Sequence, residues 1–164
     1  MQHVPEQMTE GIKIRGMYRV QIAEDGEIVG DSGWHQNQVT NDGFNDYLCR
    51  LLGNTTSSKQ VTHMALGTGT APGTGATTLD GELDQTSSRA AVTVATSNTS
   101  KTVRFTATFS SASSFTSATV TLQNIGLFQQ SNTTTATLFA GNTYATSSCA
   151  TNQNVNATYD ITFS

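Results

Sequence analysis

The segment from Val155 to Phe163 sets Val155, Ala157, Tyr159, Ile161 and Phe163 at alternate positions, with Asn156, Thr158, Asp160 and Thr162 between them. A period of two is what a β-strand with one face in a core and the other in water requires, because successive side chains point to opposite sides of the pleat. The same alternation occurs at Ile12, Ile14, Gly16, Tyr18, Val20 and Ile22, with Lys13, Arg15, Arg19 and Gln21 opposite. It returns at Val103, Phe105, Ala107 and Phe109 against Arg104, Thr106 and Thr108. Val61 to Leu66, Arg89 to Thr96, Thr119 to Gln129 and Thr135 to Ala140 read as further strands. Within the third of these, Val120, Leu122 and Leu127 change parity around Asn124 to Gly126, which marks a bulge. Glu24-Asp25-Gly26 is a hairpin turn, and Glu27-Ile28-Val29 begins the returning arm.

One helix is expected. Phe44, Tyr47, Leu48, Leu51 and Leu52 fall at helical spacing and form one apolar stripe facing a core. Asn41 or Asp42 is placed to cap the helix, and Gly53 to end it in the left-handed region. So short a helix needs a sheet to pack on, so it should cover an end or a flank. Leu79 to Leu83 reads as a further short helical turn. Seven to nine strands and no βαβ alternation predict a mainly β chain, an antiparallel β-sandwich or partly closed barrel with one short helix. Residues 1–10 have no periodic pattern and read as an N-terminal arm, leaving 11–164 as a single β-sandwich domain.

The charge distribution narrows what such a domain does. Twelve of the twenty charged residues lie in positions 1 to 50, and none lies in the 55 positions between Arg104 and Asp160. The polar residues there are mostly Thr, Ser, Asn and Gln; Thr and Ser together fill 45 of the 164 positions of the chain. A free monomer normally disperses itself with mixed surface charge and guards exposed sheet edges with Lys or Glu. This half of the chain does neither, so much of it is expected to be held in subunit contacts or to face outward on an assembly. The arm would then reach a neighbour, making Met1, Gln2, His3, Val4 and Pro5 candidate interface residues, together with Trp34. Eight Lys and Arg and a net charge of −4 argue against nucleic acid as a partner. No apolar run approaches the roughly 18 residues of a membrane span, and no signal peptide is visible near the start.

A search for chemistry finds no reaction centre. Gly67-Thr68-Gly69-Thr70-Ala71-Pro72-Gly73-Thr74-Gly75 lacks the Gly-Lys-Ser/Thr of a phosphate loop and the G-x-G-x-x-G spacing, so it reads as a surface loop. His3, His35 and His63 stand in unlike contexts without metal-ligand spacing, and no G-x-S-x-G is present. Asp80, Glu82 and Asp84 alternate but lack the glycine and distal Glu of a calcium loop, so they read as a solvated acidic turn. The reading is therefore no enzyme, no cofactor and no metal. Cys49 and Cys149 are either two separate buried thiols or one bridge closing a loop of about 100 residues.

Val39-Thr40-Asn41-Asp42-Gly43, Met64-Ala65-Leu66-Gly67-Thr68-Gly69-Thr70, Leu79-Asp80-Gly81-Glu82-Leu83 with Arg89, Asn124-Ile125-Gly126-Leu127-Phe128, Leu138-Phe139-Ala140 and Tyr159-Asp160-Ile161-Thr162-Phe163 follow one another in an order that resembles small β-rich virion structural proteins of tailed bacteriophages. The resemblance covers residues 36 to 164 and rests on glycine turns and alternating strands. Such relatives commonly carry a Glu before the Leu-Phe stretch, where this chain has Asn124. The resemblance implies a capsid decoration or cement subunit, made in the host cytoplasm and incorporated into the virion. Its implied partners are other virion proteins and copies of itself, a trimer being favoured. A tail or tail-fibre component is the alternative, including a host-glycan-binding module that uses Trp34 and Tyr144.

Overall fold

The computed structural model describes residues 11–53, 56, 58–83, 89–97, 99–113, 115–132 and 137–164. The arm, with Met1, Gln2, His3, Val4 and Pro5, lies outside the described residues, as does Asp84.

The three alternating segments become neighbours. β1 (Ile14–Glu24) and β8 (Thr102–Phe109) flank β11 (Asn154–Phe163), and both pair with it antiparallel. Outside β1 lie β2 (Glu27–Asp31) and β3 (His35–Gln36); outside β8 lies β7 (Thr93–Ala95). The β1–β2 turn has φ of +49° at Asp25 and +86° at Gly26, the two positive values that a two-residue turn needs to match strand twist. The second sheet runs β4 (Gln38–Val39), β10 (Leu138–Cys149), β9 (Val120–Phe128), β5 (His63–Gly67) and β6 (Ala90–Ala91). The two sheets remain separate, so the fold is an antiparallel β-sandwich and not a closed barrel. Tyr18, Val20, Ile22, Phe109, Val155, Tyr159 and Ile161 from the first sheet meet Met64, Leu66, Leu122, Ile125 and Leu127 from the second. Each large apolar side chain so buried contributes about 1.5–3 kcal/mol.

Several elements differ from the sequence-based expectation. The segment Arg89 to Thr96 is two strands, because the chain crosses from the second sheet to the first at Val92, whose N–H donates to Thr62 O at 3.0 Å. The strand expected to end at Ala140 continues to Cys149. Gly141 is not a turn residue there: a Cβ on it would come within 2.6 Å of Ile125 O on β9, so glycine permits the close pairing. The irregularity expected near Asn124 lies between Leu122 and Asn124, and its surplus residues, between Thr143 and Ser147, are on the partner strand β10. Leu79 to Leu83 is a turn with Gly81 at φ +60°, and Glu82 bridges to Gly67.

The helix also departs from expectation. It is π-wound over Gly43–Cys49 and continues as one α-turn over Arg50–Leu52. Winding through i→i+5 bonds places more residues in each turn and rotates an i, i+3, i+4 stripe off a single face. Tyr47 is buried, whereas Phe44, Leu51 and Leu52 are exposed. The capping side chain is Thr40, whose Oγ1 accepts from Gly43 N–H at 3.1 Å, and Gly53 is right-handed with φ −76°. The cysteines are both free thiols: Cys49 is exposed on the helix and Cys149 is buried at the end of β10, so the bridge is absent and only one thiol is buried. No helix among the described residues is long and apolar enough to cross a membrane.

Candidate interaction surfaces

The outer face of the second sheet is sealed by the chain's own loop. Ala65, Leu79, Phe128 and Leu138 form a small second core under residues 68–80. Asn124 ties the loop down: its Nδ2 donates to Thr70 O at 3.1 Å and to Asp80 O at 2.8 Å. Thus Asn124 makes a buried polar contact across to the loop. The Asp80 carboxylate accepts from Thr70 N–H at 2.8 Å and from Thr70 Oγ1 at 2.9 Å, and the N–H bond foremost holds it below the usual carboxylate range. Leu138 N–H donates to Thr77 O and Asn41 N–H to Thr74 O, which fasten the middle of the loop.

One end of this cover is an ion pair. Arg89 Nε donates to Glu82 Oε1 at 2.7 Å and Nη2 to Oε2 at 3.1 Å, with side-chain exposures of only 1% and 10%. The guanidinium lies 3.4 Å from the centre of the Phe128 ring. Glu82 is therefore not the solvated acid that its spacing implied, and Asp80 is engaged with the loop. The signal in the sequence was that Arg89 is the sole cation between Lys59 and Lys101. No group of three or more His, Cys, Asp or Glu able to hold a metal ion occurs among the described residues.

The outer face of the first sheet is open and rich in hydroxyls. Across its strands Thr93, Thr106 and Thr158 are in register, as are Thr102 and Thr162, and Thr108 and Asn156. Thr102 and Thr162 hydroxyls are 2.8 Å apart, and Thr108 Oγ1 donates to Asn156 Oδ1 at 2.9 Å. Four of its charged groups are paired across strands, Arg104 with Asp160 at 2.7 and 2.6 Å and Arg19 with Asp31, while Arg15, opposite Thr162, is exposed. Trp34 is 44% exposed, with the Arg104 guanidinium 6.0 Å from its ring. Tyr144, paired with Trp34 in the glycan-binding alternative, instead lies in the core at 6% exposure, its ring edge-on to Tyr18. Burial pushes its hydroxyl well above the ordinary phenol range.

Two further features lie at the margins. From Tyr144 to Cys149 the outer edge of β10 pairs with no strand among the described residues, and it carries no charge or proline. At one end of the sandwich an apolar groove of about 460 Å³ opens between the helix and the first sheet, lined by Tyr47, Leu48, Leu51, Val103, Phe105 and Phe163 among others. The Tyr47 hydroxyl donates to Thr137 O at 2.6 Å, and burial pushes its pKa up to about 12. Neither the groove nor the β10 edge was foreseen, because both depend on where distant segments stop.

The 55-residue charge gap thus has two physical sources. Asn124 to Phe128 and Leu138 to Gly141 are buried without a break, so they are uncharged because they are interior. Thr106, Thr108, Asn156 and Thr158 are on the outside of the first sheet, where burial within the chain does not account for the lack of charge. No protein-family model, curated protein or solved structure matches this chain.

Proposed function

We propose that the chain is a structural protein of a bacteriophage particle, a capsid decoration or cement subunit that binds neighbouring virion subunits through residues 1–10 and the threonine-rich outer face of its first sheet. The observation that carries this reading is that face: in-register threonines and asparagine, with Arg104 and Asp160 already neutralising each other. A partner can cover the rows of Thr106 with Thr158 and of Thr108 with Asn156 without stripping water from an unpaired charge, the exposed Arg15 being confined to the Thr102–Thr162 row at one end of the face, and such desolvation is the costly step in forming a protein interface. The unguarded β10 edge supports the same reading, since an isolated protein is expected to protect such an edge. Its partners would be major capsid or tail proteins and further copies of this chain, with a trimer favoured, and it would be neither an enzyme nor a nucleic-acid or membrane binder.

The order of glycine turns and strands that resembles tailed-phage virion proteins supports a structural role more strongly than one location. A tail or fibre subunit is the second reading, and the exposed Trp34 ring is the feature that favours glycan contact within it. Electron microscopy of purified particles with this chain gold-labelled tests the proposal. Regular labelling of head facets is the expected result, labelling confined to the tail supports the second reading, and unlabelled particles would overturn both.

A further inference from the structure

Of the large hydrophobic side chains left exposed, Ile12, Phe44, Leu51, Leu52 and Val94 belong to the helix, the first strand's start and the sheet edge at one end of the sandwich. Leu51 and Val94 line the groove described above. Clustered exposure of this kind marks an interaction site, whereas exposed apolar residues scattered singly are ordinary. The groove's volume lies within the roughly 300–1,000 Å³ of sites that enclose ligands or short apolar segments.

The chain itself leads to this end. Lys13 and Ser164 exchange backbone hydrogen bonds of 2.7 and 2.9 Å, and Ile14 is opposite Phe163, which lines the groove. The described chain therefore begins beside the groove. Ile12 is 79% exposed. A segment held in its own groove would join no copies, so under the assembly reading the groove it fills is a neighbour's. Ten extended residues reach about 33–36 Å, the width of a small domain.

The two sides also suit each other chemically. Residues 1–10 contain Met1, Val4 and Met8 as apolar groups, and Glu6 and Glu10 as their only charges. The exposed cations Lys13 and Lys101 stand where β1 begins and β11 ends, and Lys59 lines the groove while bonded to Asp46 at 2.5 Å. An acidic segment with spaced apolar residues thus meets an apolar groove with a basic margin.

We propose that residues 1–10 of one copy occupy the groove between the helix and first sheet of a neighbouring copy, with Val4 and Met8 in the groove and Glu6 and Glu10 toward its lysines. The proposal rests on the reading that this chain works as an assembly of copies.

The test uses the full chain with Cys49→Ser, Val4→Cys and Leu51→Cys, oxidised at micromolar concentration and run on a non-reducing gel. Leu51 is exposed, so neither cysteine disturbs the core. A reducible ladder of dimers and higher species is expected. It should weaken at least about tenfold when Val94→Asp, on the exposed wall of the groove, is added, since one well-buried apolar side chain is worth about a decade of affinity. A link within single monomers would overturn the neighbour as the source of the segment, and no link would overturn the proposal altogether. Light scattering on the unaltered chain separates the two levels: an oligomer without the link removes this inference and leaves the assembly reading, whereas a monomer at every concentration removes both.

Discussion

The two outer faces of the sandwich both draw strands from the charge-poor half of the chain, β8 and β11 on one side and β9 and β10 on the other, and meet opposite fates. Over the second sheet, Ala65, Phe128 and Leu138 are covered by residues 68–80 and locked by Asn124, Asp80 and the Arg89–Glu82 pair. Over the first sheet, threonines in register remain open. The comparison teaches that missing charge has two meanings in one sequence. Beneath the loop it reports a core completed within the chain, and on the first sheet, under the proposed function, it reports a surface for another molecule to cover.

If the loop is part of the fold, breaking its anchor should cost as much as a core defect. Glu82→Ala leaves Arg89 buried beside Phe128 without its partner, and a loss of about 3–5 kcal/mol is expected, measured by urea unfolding. Asn124→Leu removes the two bonds to the loop carbonyls and should cost about 1–3 kcal/mol, with new proteolytic cleavage within residues 68–80. On the first sheet the pattern should invert. Thr106→Lys or Thr158→Lys is expected to stay within about 0.5 kcal/mol of the parent in stability, as surface changes usually do. The same substitutions should abolish attachment to the particle in a reconstitution assay.

The smallest effect expected is a pH dependence. Asp80 has a lowered folded-state pKa, so its contribution is fully present above the unfolded value of about 3.9 and is lost as pH falls through the folded value. Protection of the loop from protease should therefore hold from neutrality to about pH 4 and decline below it. In Asp80→Asn, that decline should be absent and protection lower throughout.

Legibility in the sequence followed exposure. β1, β8 and β11 were readable because each has one wet face, which enforces the alternation. β9 was less so, since Asn124 to Phe128 is buried on both faces and nothing forces a period there. The strand read as ending at Ala140 was cut short at Gly141, because a glycine needed for clearance against Ile125 O looks, in sequence, like one needed for φ. The apolar helix stripe was real in spacing, but π winding turned all of it except Tyr47 and half-buried Leu48 outward. The Asn124 bonds to Thr70 and Asp80 span 54 and 44 positions, and no local pattern encodes such a contact. For the candidate surfaces, the threonine face followed from the strand patterns alone, whereas the groove required knowing that Leu51, Val103 and Phe163 converge.

The central claim is that the open threonine face is covered in the working assembly. Maleimide labelling of Thr158→Cys in a Cys49→Ser background tests it directly, because Cys149 is fully buried and stays silent. The account predicts rapid labelling of the free chain and protection of the same site once the chain is bound to particles. Equal labelling rates in the two states would contradict it.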